Sequence, residues 1–135
     1  MATTYSNDVL RVYGEQEAIN GTARTLTVAD SGKTFLLSGT GVNITLPSTL
    51  KAGISYKFIT AGAFSTDFVI DGGADKIYGP ILEAGAATET ADAADTITFE
   101  DGTETIGDFV EMTCDGTNWY ILAVAKNAAS ITAAG

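Results

Sequence analysis

Apolar and polar residues alternate along most of this chain. In "GVNITLP" (41–47), Val42, Ile44 and Leu46 share one side while Asn43 and Thr45 take the other. In "ISYKFIT" (54–60), Ile54, Tyr56 and Phe58 oppose Ser55 and Lys57. In "TDFVID" (66–71), Phe68 and Ile70 oppose Asp67, Val69 and Asp71. A period of two is that of a strand with one buried face. The same reading extends to "DVLRVY" (8–13), "TLTVA" (25–29), "KTFLLS" (33–38), "DTITFE" (95–100), "GDFVEMTC" (107–114) and "NWYILAVA" (118–125), which are rich in β-branched and aromatic residues. "DSG", "GTG", "KAG", "DGGAD" and two Asp-Gly pairs punctuate these runs as turn signals. Pro47 closes its strand, and Pro80 falls in the loop-like "YGPI". The pattern predicts an all-β fold, an antiparallel, jelly-roll-like β-sandwich of about 8–10 short strands with little or no helix.

Three segments depart from the alternation. Residues 14–24, "GEQEAINGTAR", are polar and patternless, and read as a linker that separates the first strand from the body. Residues 84–94, "AGAATETADAA", are small and polar and read as an exposed loop, with a short helical turn as the alternative. The tail "KNAASITAAG" is too poor in large side chains to pack firmly. The expected organisation is an arm and linker over 1–24, a sandwich domain over 25–127 and a C-terminal tail over 128–135. A strand as short as "DVLRVY" is not stable alone. Tyr5, Val9, Leu10, Val12 and Tyr13 are therefore expected to bind a neighbouring subunit or a larger assembly.

"MTCDGTNWYILAV" (112–124) holds the only cysteine and the only tryptophan. Asp115-Gly116 between two alternating runs is a hairpin signal, with a loop of either two residues (Asp115-Gly116) or four (Asp115 to Asn118). Both choices put Val110, Met112 and Cys114 on one face with Trp119, Ile121 and Ala123. That face is uniformly apolar and is expected to be core, with Cys114 a small buried hydrophobe. The opposite face carries Phe109, Tyr120, Leu122 and Val124, more apolar surface than a solvent-facing sheet normally shows. Its cover is expected to be the N-terminal strand, another subunit or a second layer of the same domain.

Composition narrows the chemistry. The 135 residues include no histidine, one cysteine and two prolines. Ser-His-Asp and Cys-His nucleophilic sites, Cys/His zinc sites and intrachain disulfides are excluded. No apolar run reaches the ~18 residues of a membrane span, and the N-terminus has no secretory pattern. The chain reads as soluble and made in a cytoplasm. Net charge is −10, and ten acids with no base lie between Glu83 and Asp115. Phosphate backbones would be repelled, so nucleic acid is not an expected partner. The acids read as a solvated face that aids solubility. They lack the spacing of a calcium loop, so no metal or other cofactor is expected. No catalytic residue is assigned and no enzyme is expected, although paired carboxylates occur by chance.

A resemblance follows from three stretches: "LTVADSGKTFLLSGTGVNITLPSTLKAGISYKFI" (26–59), "DKIYGPI" (75–81) and "DTITFEDGTETIGDFVEMTCDGTNWYILAVAKNAASIT" (95–132). With their "DSGK" entry, their "V-x-I-T-L-P" strand followed by "AG-x-x-Y-x-F", and their closing "GD-x-V-E … DGTNWY" hairpin, they resemble a module of tailed-bacteriophage virion proteins found in capsid decoration (cement) proteins, head fibres and some tail-fibre segments. The resemblance covers about residues 25–132 and implies a compact β-sandwich, usually trimeric, on the outer capsid surface of a virion after synthesis in the host cytoplasm. The expected partners are a major capsid protein and the chain itself as a homotrimer, with Phe109, Tyr120, Leu122 and Val124 at the subunit interface and no membrane. The alternative is a host-glycan-binding fibre module using Tyr78, Asp115, Asn118 and Trp119.

Overall fold

A computed structural model describes residues 14–135. The strand "DVLRVY" and the arm residues Tyr5, Val9, Leu10, Val12 and Tyr13 lie outside the described residues. Twelve strands follow in order: β1 (Gln16–Ile19), β2 (Arg24–Thr25), β3 (Thr34–Gly39), β4 (Asn43–Thr45), β5 (Ala52–Phe64), β6 (Phe68–Asp71), β7 (Ile77–Glu83), β8 (Glu89–Ala94), β9 (Thr96–Phe99), β10 (Phe109–Asp115), β11 (Trp119–Ala125) and β12 (Ile131–Ala134). The one helical element among the described residues is a single 3-10 turn over Val28–Asp30. The strands form a seven-stranded sheet ordered β1-β3-β5-β10-β11-β7-β8 and a five-stranded sheet ordered β12-β9-β6-β4-β2. The fold is an all-β sandwich.

Alternation identifies the inward positions. Ile44, Ile54, Tyr56, Phe58, Phe68, Ile70, Val110, Met112, Cys114, Trp119, Ile121 and Ala123 are all buried in one core. Phe35 stacks on Phe58 with ring centres 5.3 Å apart, and Tyr56 lies 5.7 Å from Trp119. Cys114 pairs with Trp119, so the hairpin loop is the four residues Asp115 to Asn118.

Strand direction does not follow the antiparallel expectation throughout. β1, β3 and β5 are mutually parallel in one sheet, as are β2, β4 and β6 in the other. β7 is also parallel to β11. Parallel neighbours need a long crossover, and here the facing sheet supplies it: the chain passes from β1 to β6 by changing sheet at every step. A period of two is the same in either direction, so alternation carries no information on this point.

The polar segments are also ordered. Residues 14–24 are not a free linker, because β1 pairs with β3 and β2 with β4. "TLTVA" is not one strand but the end of β2 followed by the 3-10 turn. Within residues 84–94, Glu89–Ala94 form β8 against β7. The tail forms β12 against β9, and Ile131 is fully buried. The "YGPI" stretch is strand, and Pro80 is accommodated beside a bulge at Ile77/Gly79. Gly79 has φ 143, and a Cβ there would collide with the Ile121 carbonyl oxygen, so the close approach of β7 to β11 requires glycine.

Charge adds to the burial of Ile19 in holding β1. Arg24 donates to Glu17 at 2.6 Å and to Asp30 at 3.1 Å, and Lys33 reaches Asp30 at 3.0 Å and Glu17 at 3.4 Å. Asp30 is buried and also accepts from the Thr27 N–H. Burial works against its charged form, but the Thr27 N–H, Lys33 and Arg24 outweigh it and hold the carboxyl down at about 2. An ordinary Asp titrates near ~3.9. A carboxyl lowered on folding adds stability above its unfolded value and loses it as pH falls through the folded one. Wild-type stability should therefore fall between about pH 4 and 2 more steeply than that of Asp30→Asn. At neutral pH the variant should be less stable by about 1.5–3 kcal/mol, the worth of hydrogen bonds to a charged group. Thermal unfolding of both proteins across this range checks it, and parallel curves would dismiss the network.

The acidic run is not simply a solvated face. Glu83 and Asp108 are buried. Glu83 accepts from the N–H groups of Ala129 and Ile131, and Asp108 from those of Thr105 and Lys126. Glu104 accepts from Phe64 N–H, Asp95 from Asp75 N–H, and Glu100 from the Thr132 hydroxyl. Where strands change sheet, backbone donors leave the ladder, and Glu83, Asp95, Glu104 and Asp108 satisfy some of them. Glu83 thereby ties the tail to β7.

Candidate functional site: an apolar row on the outer sheet face

The outward face of the seven-stranded sheet carries three of the exposed large hydrophobic side chains among the described residues, Leu82, Tyr120 and Leu122. Register sets it. Ala18 pairs with Leu36, Leu36 with Ile59, Ile59 with Phe109, Phe109 with Val124, and Val124 with Leu82. Leu36, Ile59, Phe109, Val124 and Leu82 each stand between two buried residues, and exposed Ala18 precedes buried Ile19, so all six point away from the core. They form one continuous apolar row across six strands, about 24 Å long at a strand spacing of ~4.8 Å. Leu82 is 40 % exposed at one end of the row, and Leu122, on the next outward level of β11, is 37 % exposed. Ile106, 73 % exposed, stands three residues before Phe109 in the β9–β10 loop.

Polar residues border the row. Gln16, Thr34, Lys57 and Glu111 share the next level in register. Lys57 lies 3.3 Å from Glu111 and sits 4.9 Å from the Phe109 ring centre, covering part of that ring. Beyond them, Tyr78 pairs with Tyr120, with ring centres 6.4 Å apart. The Tyr120 hydroxyl donates to Asp115 at 2.8 Å, and Asp115 also accepts from the N–H groups of Thr117 and Asn118. The Asn118 N–H, followed by that of Thr117 and by the Tyr120 hydroxyl, holds the Asp115 carboxyl below its ordinary value. Asp115 thus shapes its turn and steadies an exposed tyrosine.

Phe109, Tyr120, Leu122 and Val124 lie together on this one face, Tyr120 and Leu122 exposed and the other two half-buried. The proposed glycan set does not assemble, because Trp119 is fully buried on the opposite face. Leu36, Ile59 and Leu82 complete the row and were missed by alternation. Their signal was present in the adjacent apolar pairs Leu36-Leu37, Phe58-Ile59 and Ile81-Leu82, since a strand with two consecutive apolar residues must turn one outward.

Among the described residues, surface depressions of about 200 to 300 Å³ include three lined by Gly32, Tyr56 and Met112, by Leu46, Pro47 and Lys76, and by Glu17, Asn20 and Arg24. They lie at or below the small end of the ~300–1,000 Å³ typical of ligand clefts. Among the described residues, no group of three or more acidic or cysteine side chains is placed to hold a metal ion. The sequence matches no protein-family model and no curated protein. The flat apolar row is the feature that asks for a partner.

Proposed function

We propose that this chain is a structural virion protein, a homotrimeric capsid decoration protein that binds the outside of a bacteriophage head and stabilises joints between major capsid subunits. The observation that carries the reading is the apolar row, a contiguous line of outward apolar side chains across six strands of the kind that marks interaction surfaces. Phe109, Tyr120, Leu122 and Val124 would form the subunit contact. The virion context comes from the resemblance of residues 25–132. On this reading the chain performs no chemistry: it adds buried area across capsomer joints, and three linked copies add avidity. Particles assembled with the protein should release their contents at higher temperature or greater osmotic shock than particles assembled without it. Equal resistance would count heavily against the proposal.

A host-glycan-binding module is the second reading, favoured by the pair of half-buried Tyr78 and exposed Tyr120 beside Asp115. It no longer involves Trp119. Micromolar binding on a glycan array, abolished by Tyr120→Ala, would support it over the first.

A further inference from the structure

The apolar row has a specific candidate occupant in the chain itself. The thirteen residues before Gly14, "MATTYSNDVLRVY", end in Val9, Leu10, Val12 and Tyr13, four apolar side chains in five positions. Extended, residues 8–13 span about 20 Å, close to the ~24 Å of the row. We propose that residues 8–13 of a second copy lie along the row Ala18–Leu36–Ile59–Phe109–Val124–Leu82, so that neighbouring subunits are joined by exchanged N-terminal segments. This rests on the self-association proposed above and names the contact that secures it.

Charge favours this segment over the face of a second sandwich. Residues 1–13 hold one acid, Asp8, and one base, Arg11, so the net −10 of the chain lies wholly on residues 14–135. Two such bodies pressed face to face would repel, whereas residues 8–13 bring no net charge. Direction favours another copy over the same one. Gln16 pairs with Thr34, two positions before Leu36, and the Glu15 carbonyl accepts from Thr34 N–H. Traced backwards from Ala18, β1 therefore leaves its own row and reaches Gly14 heading away from it. Return to its own row would need a reversal of the chain before Gly14.

Disulfide trapping in the full-length chain tests this. Leu10→Cys is combined in turn with Leu36→Cys, Leu82→Cys and, as a control on the outward face of the other sheet, Asn43→Cys. Cys114 is buried and does not compete. Light scattering of the wild type at micromolar concentration accompanies the trapping. The expected result is an interchain link to Leu36→Cys or Leu82→Cys, formed about tenfold or more faster than to the control because docking raises the local concentration. Deleting residues 1–13 should leave the sandwich folded and raise the concentration needed for half-association by about tenfold or more. An associated wild type with no row-specific link overturns the inference and leaves the trimer standing. An intrachain link shows the segment on its own body and overturns exchange. A monomeric wild type overturns both.

Discussion

Trp119→Ala is expected to destabilise the chain by about 3–5 kcal/mol, the usual cost of removing a large buried aromatic. Trp119 is fully buried between Cys114 on β10 and Ile77 on β7, and it continues the aromatic line that runs through Tyr56, Phe58 and Phe35. For a domain of total stability near 5–15 kcal/mol, that loss is a large fraction. Trp119→Phe should cost clearly less. The indole N–H is buried with no hydrogen-bond partner, and an unsatisfied buried donor itself costs about 1–3 kcal/mol. Removing it offsets part of the cavity. Denaturant unfolding followed by far-UV circular dichroism, at one protein concentration throughout, separates the two variants. An unchanged midpoint for the alanine variant would refute the core assignment.

Leu122→Asp is expected to abolish self-association while the sandwich stays folded. Leu122 points outward from β11 and is 37 % exposed, so an aspartate there is solvated in the single chain. In the proposed contact the same carboxylate would be buried without a partner, at about 3–5 kcal/mol, which weakens association by roughly two to three and a half powers of ten. Leu122→Lys separates burial from general repulsion. It reduces the net charge of −10 and faces Glu111 across the strand pair, so it should weaken association, though less than the aspartate does. Asn43→Asp, exposed on the other sheet, should leave the mass unchanged. Light scattering reads mass and circular dichroism reads fold. Unaltered association of both Leu122 variants would remove this face from the interface.

What the sequence by itself determined is local. The alternation of Ile44, Phe58, Phe68 and Trp119 with polar neighbours marked the inner faces, because side chains on a strand take opposite sides in turn whatever the strand pairs with. Asp115-Gly116 marked the hairpin, because turn chemistry acts within four residues. Those two signals sufficed for an all-β sandwich and for the apolar outer side of its C-terminal hairpin.

Only the tertiary structure decided the rest. Whether β1, β3 and β5 run parallel depends on the path taken through the other sheet, which leaves no mark on a period of two. β1 and β12 escaped notice because each sends only one large apolar side chain into the core, Ile19 or Ile131, too few to show a period of two, and each is also tied by polar groups, Arg24, Asp30 and Lys33 for β1 and Glu83 for β12. The row joining Leu36, Ile59, Phe109, Val124 and Leu82 exists only through the registers that align five strands. Each residue taken singly is an unremarkable outward apolar side chain. Their contiguity is a property of strand pairing between positions far apart in the chain, and no local signal encodes it.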